Sequence, residues 1–260
     1  MQWQGRDFHS LERELDRFFF DAAADCPYGF DQTAVYRQAM LGAIPPSLYG
    51  LFLAHGYRRN GNWLYRMVCP GCRRCVSIRL RPVEFRPNRN QRRVMRANQD
   101  LTVTVGPLTV TDEKIDLCDR FLRSRYPDKN ASGRAYYAGF FLNNITTTFE
   151  VCYRLGDRLV GVGIVDAGDD WLNAVYHYFD PRFARRSPGT NNILQLIELC
   201  RRQGIEYLYL GFVIDEVSAM AYKARFHPHY LLENGGWRRR DRKRLPAGGR
   251  CLGLDSEEPA

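Results

Sequence analysis

Cys69, Cys72 and Cys75 stand three residues apart in "CPGCRRC", a spacing that lets thiolates converge on one centre. Pro70-Gly71 supports a tight turn between the first two. A tetrahedral centre needs a fourth ligand, and Cys26, beside Pro27 and Tyr28, is the best candidate. Zinc and an iron–sulfur cluster both accept four thiolates, so the spacing leaves the choice open. The competing reading is three buried or free thiols around a turn. Arg73 and Arg74 would favour thiolates under either reading. Cys118, Cys152, Cys200 and Cys251 read as ordinary core or surface thiols.

A second chemistry follows at once. Between residues 79 and 96 lie seven arginines, Arg79, Arg81, Arg86, Arg89, Arg92, Arg93 and Arg96, opposed only by Glu84. That density exceeds what a salt-bridged face needs, and phosphate contact is the natural reading. A solvated basic helix is the alternative. The whole chain agrees in sign, with 38 Lys plus Arg against 29 Asp plus Glu and a formal charge of +9. A guanidinium-rich excess suits a partner rich in phosphate or carboxylate.

Other chemistries are missing. There is no phosphate-binding G-x-x-x-x-G-K-[ST], no G-x-G-x-x-G after a strand, no H-E-x-x-H and no G-x-S-x-G. The sequence therefore implies no nucleotide hydrolysis and no hydrolytic triad; an enzyme of this kind needs a substrate that arrives activated. No apolar run is long enough to span a membrane, and the start lacks the pattern of a signal peptide. Eight unevenly spaced cysteines argue for thiols or a metal rather than a disulfide framework. A cytoplasmic protein is expected, with no membrane partner.

These groups need elements to position them. With 260 residues, 45% hydrophobic, the chain can bury a real core. Leu11, Leu15, Phe18 and Phe19 follow helical spacing, with Ser10 as the cap. "YRRNGNWLYRMV" predicts a hairpin around Asn60-Gly61. In "VSIRLRPVEF", Val76, Ile78 and Leu80 face a core while Ser77, Arg79 and Arg81 face away. Asn88 or Asn90 caps a short basic helix through Ala97. Helices are expected over 112–125 and 136–142, then two strands about Gly156-Asp157, and a third in "WLNAVYHYF". "NNILQLIELCRRQG" reads as a helix ending at Gly204, and "EYLYLGFVI" as a buried strand. The pattern predicts a mixed α/β (α+β) protein. Three units are expected: an N-terminal block over 1–104 with the cysteines and basic segment, a C-terminal block over 105–240, and a loose tail over 241–260. From "WRRRDRKRLP" onward periodicity is lost.

Two long stretches resemble a known family. "CPY…GYRRNGNWLYRMVCPGCRRCVSIRL…EFRPNRNQRRVMRAN" is similar to the N-terminal domain of the aminoacyl-tRNA–protein transferases. "VYHYFDPRFARRSPGTNNILQLIELCRRQGIEYLYLGF…MAYKARFHP" is similar to their C-terminal domain. The nearer branch is the bacterial aspartate/glutamate leucyltransferases, with the arginyltransferases as relatives. The resemblance implies an acetyltransferase-like (GNAT-related) fold assembled from both blocks. It implies transfer of leucine, or alternatively arginine, from aminoacyl-tRNA to the amine of proteins starting with Asp or Glu, which marks them for N-degron proteolysis. In the arginyltransferases, cysteines of this region are associated with an iron–sulfur cluster; Cys26 and Cys72 match them clearly. Three segments depart from the family's pattern: "GFDQ" after "CPY", Asn191-Asn192 after Gly189-Thr190, and "DEVSA" before "MAYKARF".

Such a reaction is aminolysis of an activated ester and requires no cofactor. The nucleophile is an α-amine of pKa about 7.7–8.0, so positioning and oxyanion stabilisation matter more than a strong base. Tyr178 and Asp180 are candidates for handling the amine, a phenol to relay a proton and a carboxylate to orient an ammonium; Asp180, before Pro181, could equally cap a turn. Arg79, Lys223 and Arg225 are candidates to bind the acceptor's acidic side chain, and each could equally hold tRNA phosphate. Arg89, Arg92, Arg93 and Arg96 are expected to meet tRNA. Two other readings compete: a non-catalytic RNA-binding module with a structural metal, and an acyl-CoA N-acetyltransferase. "ARRSPGT" has one glycine where the latter needs a glycine-rich pyrophosphate loop.

Overall fold

Asn60-Gly61 turns the chain between β3 (Arg58–Asn60) and β4 (Trp63–Met67), with Gly61 at φ 54°. A Cβ there would also meet the carbonyl of Gly139 at 2.6 Å, so glycine serves both the turn and a close approach. The structure, a computed structural model, describes residues 8–242 except residue 128. Cys251 and positions 243–260 of the expected tail lie outside the described residues.

Among the described residues two sheets organise the protein. The first has the order β1-β2-β4-β3, with β1 (Phe20–Asp25) and β2 (Thr33–Met40) completing it. Its helices are α1 (Phe8–Leu15) and α2 (Pro46–Ala54). The second sheet contains eight strands. From the N-terminal half it takes β5 (Val76–Leu80); after α3 (Arg89–Ala97) come β6 (Thr102–Pro107), α4 (Asp112–Arg125) and the single turn α5 (Gly133–Tyr136). Then follow β7 (Thr147–Leu155), β8 (Arg158–Ala167), β9 (Trp171–Phe179), α6 (Pro188–Gln203) and β10 (Tyr207–Val213). A short α7 (Ser218–Ala221) leads to β11 (His229–Glu233) and β12 (Gly236–Arg240). The order is β12-β11-β5-β10-β9-β8-β7-β6, so β5 sits inside the sheet, between β11 and β10. The fold is mixed α/β with two sheets.

Three apolar clusters hold these layers. Val94 of α3 and Ile193, Leu196 and Ile197 of α6 pack with Ile78, Leu172 and Leu208 of the eight-stranded sheet. Leu117 and Leu122 of α4 pack with Val162, Ile164 and Tyr178. Phe52 and Leu53 of α2 and Leu64 of β4 pack with Trp171 and Tyr209. The last cluster fastens the four-stranded sheet to the eight-stranded one.

Several expectations need correction. Ser10 lies inside α1, which ends at Leu15 and runs into a 3-10 turn over Asp16–Phe18. The helix expected over 136–142 is α5 followed by a π turn over Tyr137–Phe141. The stretch from Trp237 is not loose: Trp237 through Arg240 pair with β11. Trp237 also donates from Nε1 to the carbonyl of Ala54 at 2.9 Å. Three arginines in a row mimic a tail, yet on an edge strand charged side chains are in keeping.

Candidate active site

The two parallel strands β9 and β10 pair only at their starts. Tyr207 faces Trp171, Leu208 faces Leu172 and Tyr209 faces Asn173, and there the parallel ladder ends. On its other edge β10 pairs with β5, but the register shifts between Tyr209 and Phe212, where Gly211 takes φ 76°. The strands part and leave a notch beyond their carboxyl ends, the place where open α/β sheets hold ligands.

A pocket of about 240 Å³ lies in this notch. Val175 and Tyr176 of β9 and Phe212 of β10 form its base. Tyr28, Tyr36, Tyr65 and Met67, with Tyr126, Tyr136, Phe140 and Phe141, line most of the rest, and Pro27 and Asn60 complete it. No acidic residue lines it. Burial pushes the Tyr28 and Tyr65 hydroxyls well above the ordinary phenol range, so both stay protonated.

Two cations stand at the bulge. Arg58, 5% exposed, donates from Nη2 to the carbonyl of Gly211 at 3.2 Å and from Nη1 to Tyr57 at 2.5 Å. Its guanidinium lies 5.5 Å from the ring centre of Phe212. Lys223 donates from Nζ to the next carbonyl, that of Phe212, at 2.9 Å. Burial, with Arg58 nearby, pulls its ammonium down to about 7.

The cysteines gather behind the tyrosine wall. Gly71 takes φ 70° and the amide of Cys72 donates to the carbonyl of Cys69, which gives the expected turn. Burial first, then Cys69, Cys72 and Cys26, push the Cys75 thiol up to about 12. Cys26 and Cys75 also lie within electrostatic reach of Tyr28 and Tyr36. The four residues are therefore neighbours. They are not a ligand set as placed: among the described residues no group of three or more His, Cys, Asp or Glu could hold a metal ion. The sulfur of Cys69 accepts instead from the amide of Val35 at 3.3 Å.

The remaining candidates separate. Asn88 caps α3 in a reciprocal box with Gln91. Arg89, Arg93 and Arg96 then line a second cavity of about 650 Å³, with Arg225, His227 and Arg242. Arg92 does not line it and donates to the carbonyl of Pro87 at 2.6 Å. Arg225 thus lines the cavity of the α3 arginines, and Lys223 does not. Arg79 lies between Tyr207 and Trp237, 4.1 and 4.2 Å from their ring centres, and donates to the Tyr209 hydroxyl at 3.1 Å. Tyr178 is fully buried, with its hydroxyl 2.5 Å from that of Tyr137. Of the two roles open to Asp180, the structure gives it the cap: it accepts from the Arg182 amide and pairs with Arg158 and Arg182. Neither Tyr178 nor Asp180 lines the notch.

In sequence Arg58 and Arg59 stand only as the flank of a hairpin. Nothing near them in sequence marks them, because Gly211 and Asp166, their partners, lie 153 and 107 residues away. Asn191 and Asn192, one of the three departures, are buried on α6, where Asn192 accepts from the Tyr153 hydroxyl at 2.8 Å.

Comparison with known proteins gives this geometry a context. Residues 24–93 match the family model of the arginine-tRNA-protein transferase N terminus, and residues 113–233 that of its C terminus. An aspartate/glutamate leucyltransferase of Halorhodospira halophila is 37% identical over 212 residues, covering 78% of this chain and 90% of that one. One of Thiobacillus denitrificans is 36% identical over 234 residues, covering 88% and 98%. Among solved structures, the C-terminal domain of a putative lysylphosphatidylglycerol synthetase from Agrobacterium fabrum aligns with a TM-score of 0.43 at 14% identity, over 66% of this chain and 53% of that one.

Proposed function

The chain belongs to the arginine-tRNA-protein transferase family and is an aminoacyltransferase, and from that premise we propose that it moves leucine from Leu-tRNA to the N-terminal amine of proteins beginning with Asp or Glu. The observation that carries the choice of leucine is the notch pocket, whose walls are aromatic and free of acid. A leucyl side chain is at home among such walls. An arginyl guanidinium would lose its water and find no carboxylate. The relatives from Halorhodospira halophila and Thiobacillus denitrificans are leucyltransferases by name. We read the eight-stranded sheet that parts between β9 and β10 as the acetyltransferase-like arrangement the resemblance implies, with a charged tRNA in place of an acyl thioester.

The acceptor's neutral α-amine attacks the ester carbonyl carbon of the leucyl group. A C–N bond forms, the C–O bond to the terminal ribose breaks, and the amine's proton ends on the released hydroxyl. Positioning carries most of this reaction, and we assign it to the notch rather than to Tyr178 and Asp180, whose polar groups are committed elsewhere. No step uses a metal or a cofactor. The cysteine turn acts here as the support behind Tyr28 and Tyr36. Products so tagged are expected to enter N-degron proteolysis.

The decisive experiment offers Leu-tRNA and Arg-tRNA separately to an Asp-starting peptide and reads the mass of the product. Leucine addition is expected. Arginine addition alone would overturn the donor, and addition of neither would overturn the reaction.

We assign tRNA phosphate to the cavity of Arg89, Arg93, Arg96 and Arg225. It is large, lined without acid, and too polar for the leucyl group. Replacing Arg89, Arg93 and Arg96 by Ala should weaken tRNA binding and flatten its salt dependence. Each lost phosphate contact removes about 0.9 from the slope of log K against log salt, so roughly 3 for the triple variant. An unchanged slope in filter binding would make this a solvated helix face.

A further inference from the structure

Among the described residues, cations held largely inside the fold come in two kinds. Arg59 holds Asp166, and Lys114 holds Glu150. Arg58 and Lys223 hold no carboxylate among the described residues. Arg58 donates to the backbone carbonyls of Leu53, Tyr57 and Gly211, and Lys223 donates to that of Phe212, the residue after Gly211. The Nε of Arg58 is buried with no hydrogen-bond partner at all. Tyr209, Tyr49, Tyr65 and Tyr28 lie within electrostatic reach of Arg58, and the Phe212 ring lies beside it. Two like charges brought together without a counter-charge are costly to desolvate. A fold with no use for the arrangement gains by replacing either one with an apolar residue.

We propose that Arg58 and Lys223, at the Gly211–Phe212 bulge, are the specificity-determining pair that receives the acidic side chain of the acceptor protein's first residue. The inference rests on the leucyltransferase reading above and names what that reading leaves unassigned. Three observations favour it. The pair supplies two positive groups and no negative one, the complement of a single carboxylate. Both groups meet Phe212 or its neighbour, and Phe212 is also a wall of the notch pocket, so a carboxylate held here keeps its own α-amine beside the leucyl ester. Lys223 keeps some exposure, so the pair can be reached. Of the other cations considered, Arg79 is held between two aromatic rings and Arg225 lies with the α3 arginines.

Protonation follows from the same surroundings. Lys223 faces the Arg58 guanidinium from β3, the Phe212 carbonyl from β10 and the Met220 sulfur from α7, at 3.6 Å for the last. Its ammonium is present below about 7 and is lost as pH rises through that value. An arriving carboxylate stabilises the charged form, so acidic acceptors bind with proton uptake above neutrality.

The test measures binding and transfer separately on the full chain, using two peptides that differ only in Asp or Asn at the first residue. Calorimetry gives their affinities, and mass spectrometry gives leucine transfer from Leu-tRNA. In the unaltered protein the Asp peptide binds better, and its advantage shrinks as pH rises past about 7. Lys223→Met keeps the packing volume and removes the charge; it should cut the Asp-over-Asn ratio by about thirtyfold or more, with the KM for Leu-tRNA unchanged. Lys223→Arg should restore the ratio in part and remove its pH dependence. Equal loss for both peptides in Lys223→Met, or a raised KM for Leu-tRNA with the ratio intact, overturns the proposal; the latter result makes the pair a tRNA contact. Should the unaltered protein prefer the Asp peptide in calorimetry yet transfer no leucine, the pair stands and the donor reading falls. Arg58→Lys, checked by thermal unfolding, should show the same loss of ratio, and an intact ratio in a folded variant removes Arg58 from the site.

Discussion

Asp166→Leu is expected to destabilise the protein by about 3–5 kcal/mol, the loss seen when one partner of a buried ion pair is removed. For a chain of this size that lowers Tm by roughly 10 °C. Asp166 and Arg59 are both fully buried, and Arg59 donates from Nε at 2.9 Å and Nη2 at 2.5 Å. The same carboxylate accepts from Tyr49 of α2 at 3.2 Å, Thr148 of β7 at 2.7 Å and Asn173 of β9 at 3.2 Å. Five elements from both sheets thus meet at one group. Removing it strands a guanidinium and three neutral donors at once. Arg59→Met combined with Asp166→Leu should recover much of the loss, because the stranded charge is then gone. Thermal and denaturant unfolding of the four proteins closes the cycle. A single-variant loss below about 1 kcal/mol, the scale of an exposed pair, would mean water reaches the site.

That carboxylate also shows what sequence reading can and cannot reach. Elements with a local cause were legible. Asn60-Gly61 turns a hairpin, Asn88 caps α3, and Gly204, at φ 69°, ends α6. Elements without a local signature were missed. β1 reads FDAAAD and is exposed along nearly all of its length, so it has no alternation to detect. α2 reads PSLYGLFLA and is apolar all round, which hides its helical period. β12 carries its arginines as an edge strand. At the site the division is the same. The C-x2-C-x2-C turn and the basic helix follow from neighbours in sequence. The notch follows from where β9 and β10 stop pairing, and Arg58 gains meaning only from a bulge on the far side of the chain. Spacing could bring the four cysteines into one corner but could not say how their sulfurs point; Cys69 turns to the Val35 amide.

The notch pocket, which we assign to the donor, carries the largest expected effect. Leucine should be transferred in preference to arginine by at least about 10³-fold, since a guanidinium stripped of water among uncharged walls costs several kcal/mol. Met67, at the end of β4, lines the pocket and retains some exposure, so a residue of similar length can replace it. Met67→Glu places a carboxylate where the leucyl side chain should lie. Leucine transfer is then expected to fall by about 10²-fold, because a buried acid without a partner disfavours an apolar ligand. Arginine transfer should hold or rise, because the new acid pairs with the guanidinium. The informative quantity is the ratio of kcat/KM for Leu-tRNA to that for Arg-tRNA with one Asp-starting peptide, which cancels general damage to the enzyme. A ratio unmoved while both rates drop together would mean the donor side chain lies elsewhere. A shift instead in Asp-over-Asn acceptor choice would mean that the pocket takes the acceptor. Because Phe212 belongs both to this pocket and to the surroundings of Arg58, the two readouts must be taken on the same variant: the donor ratio reports on the walls, and the acceptor ratio on the bulge.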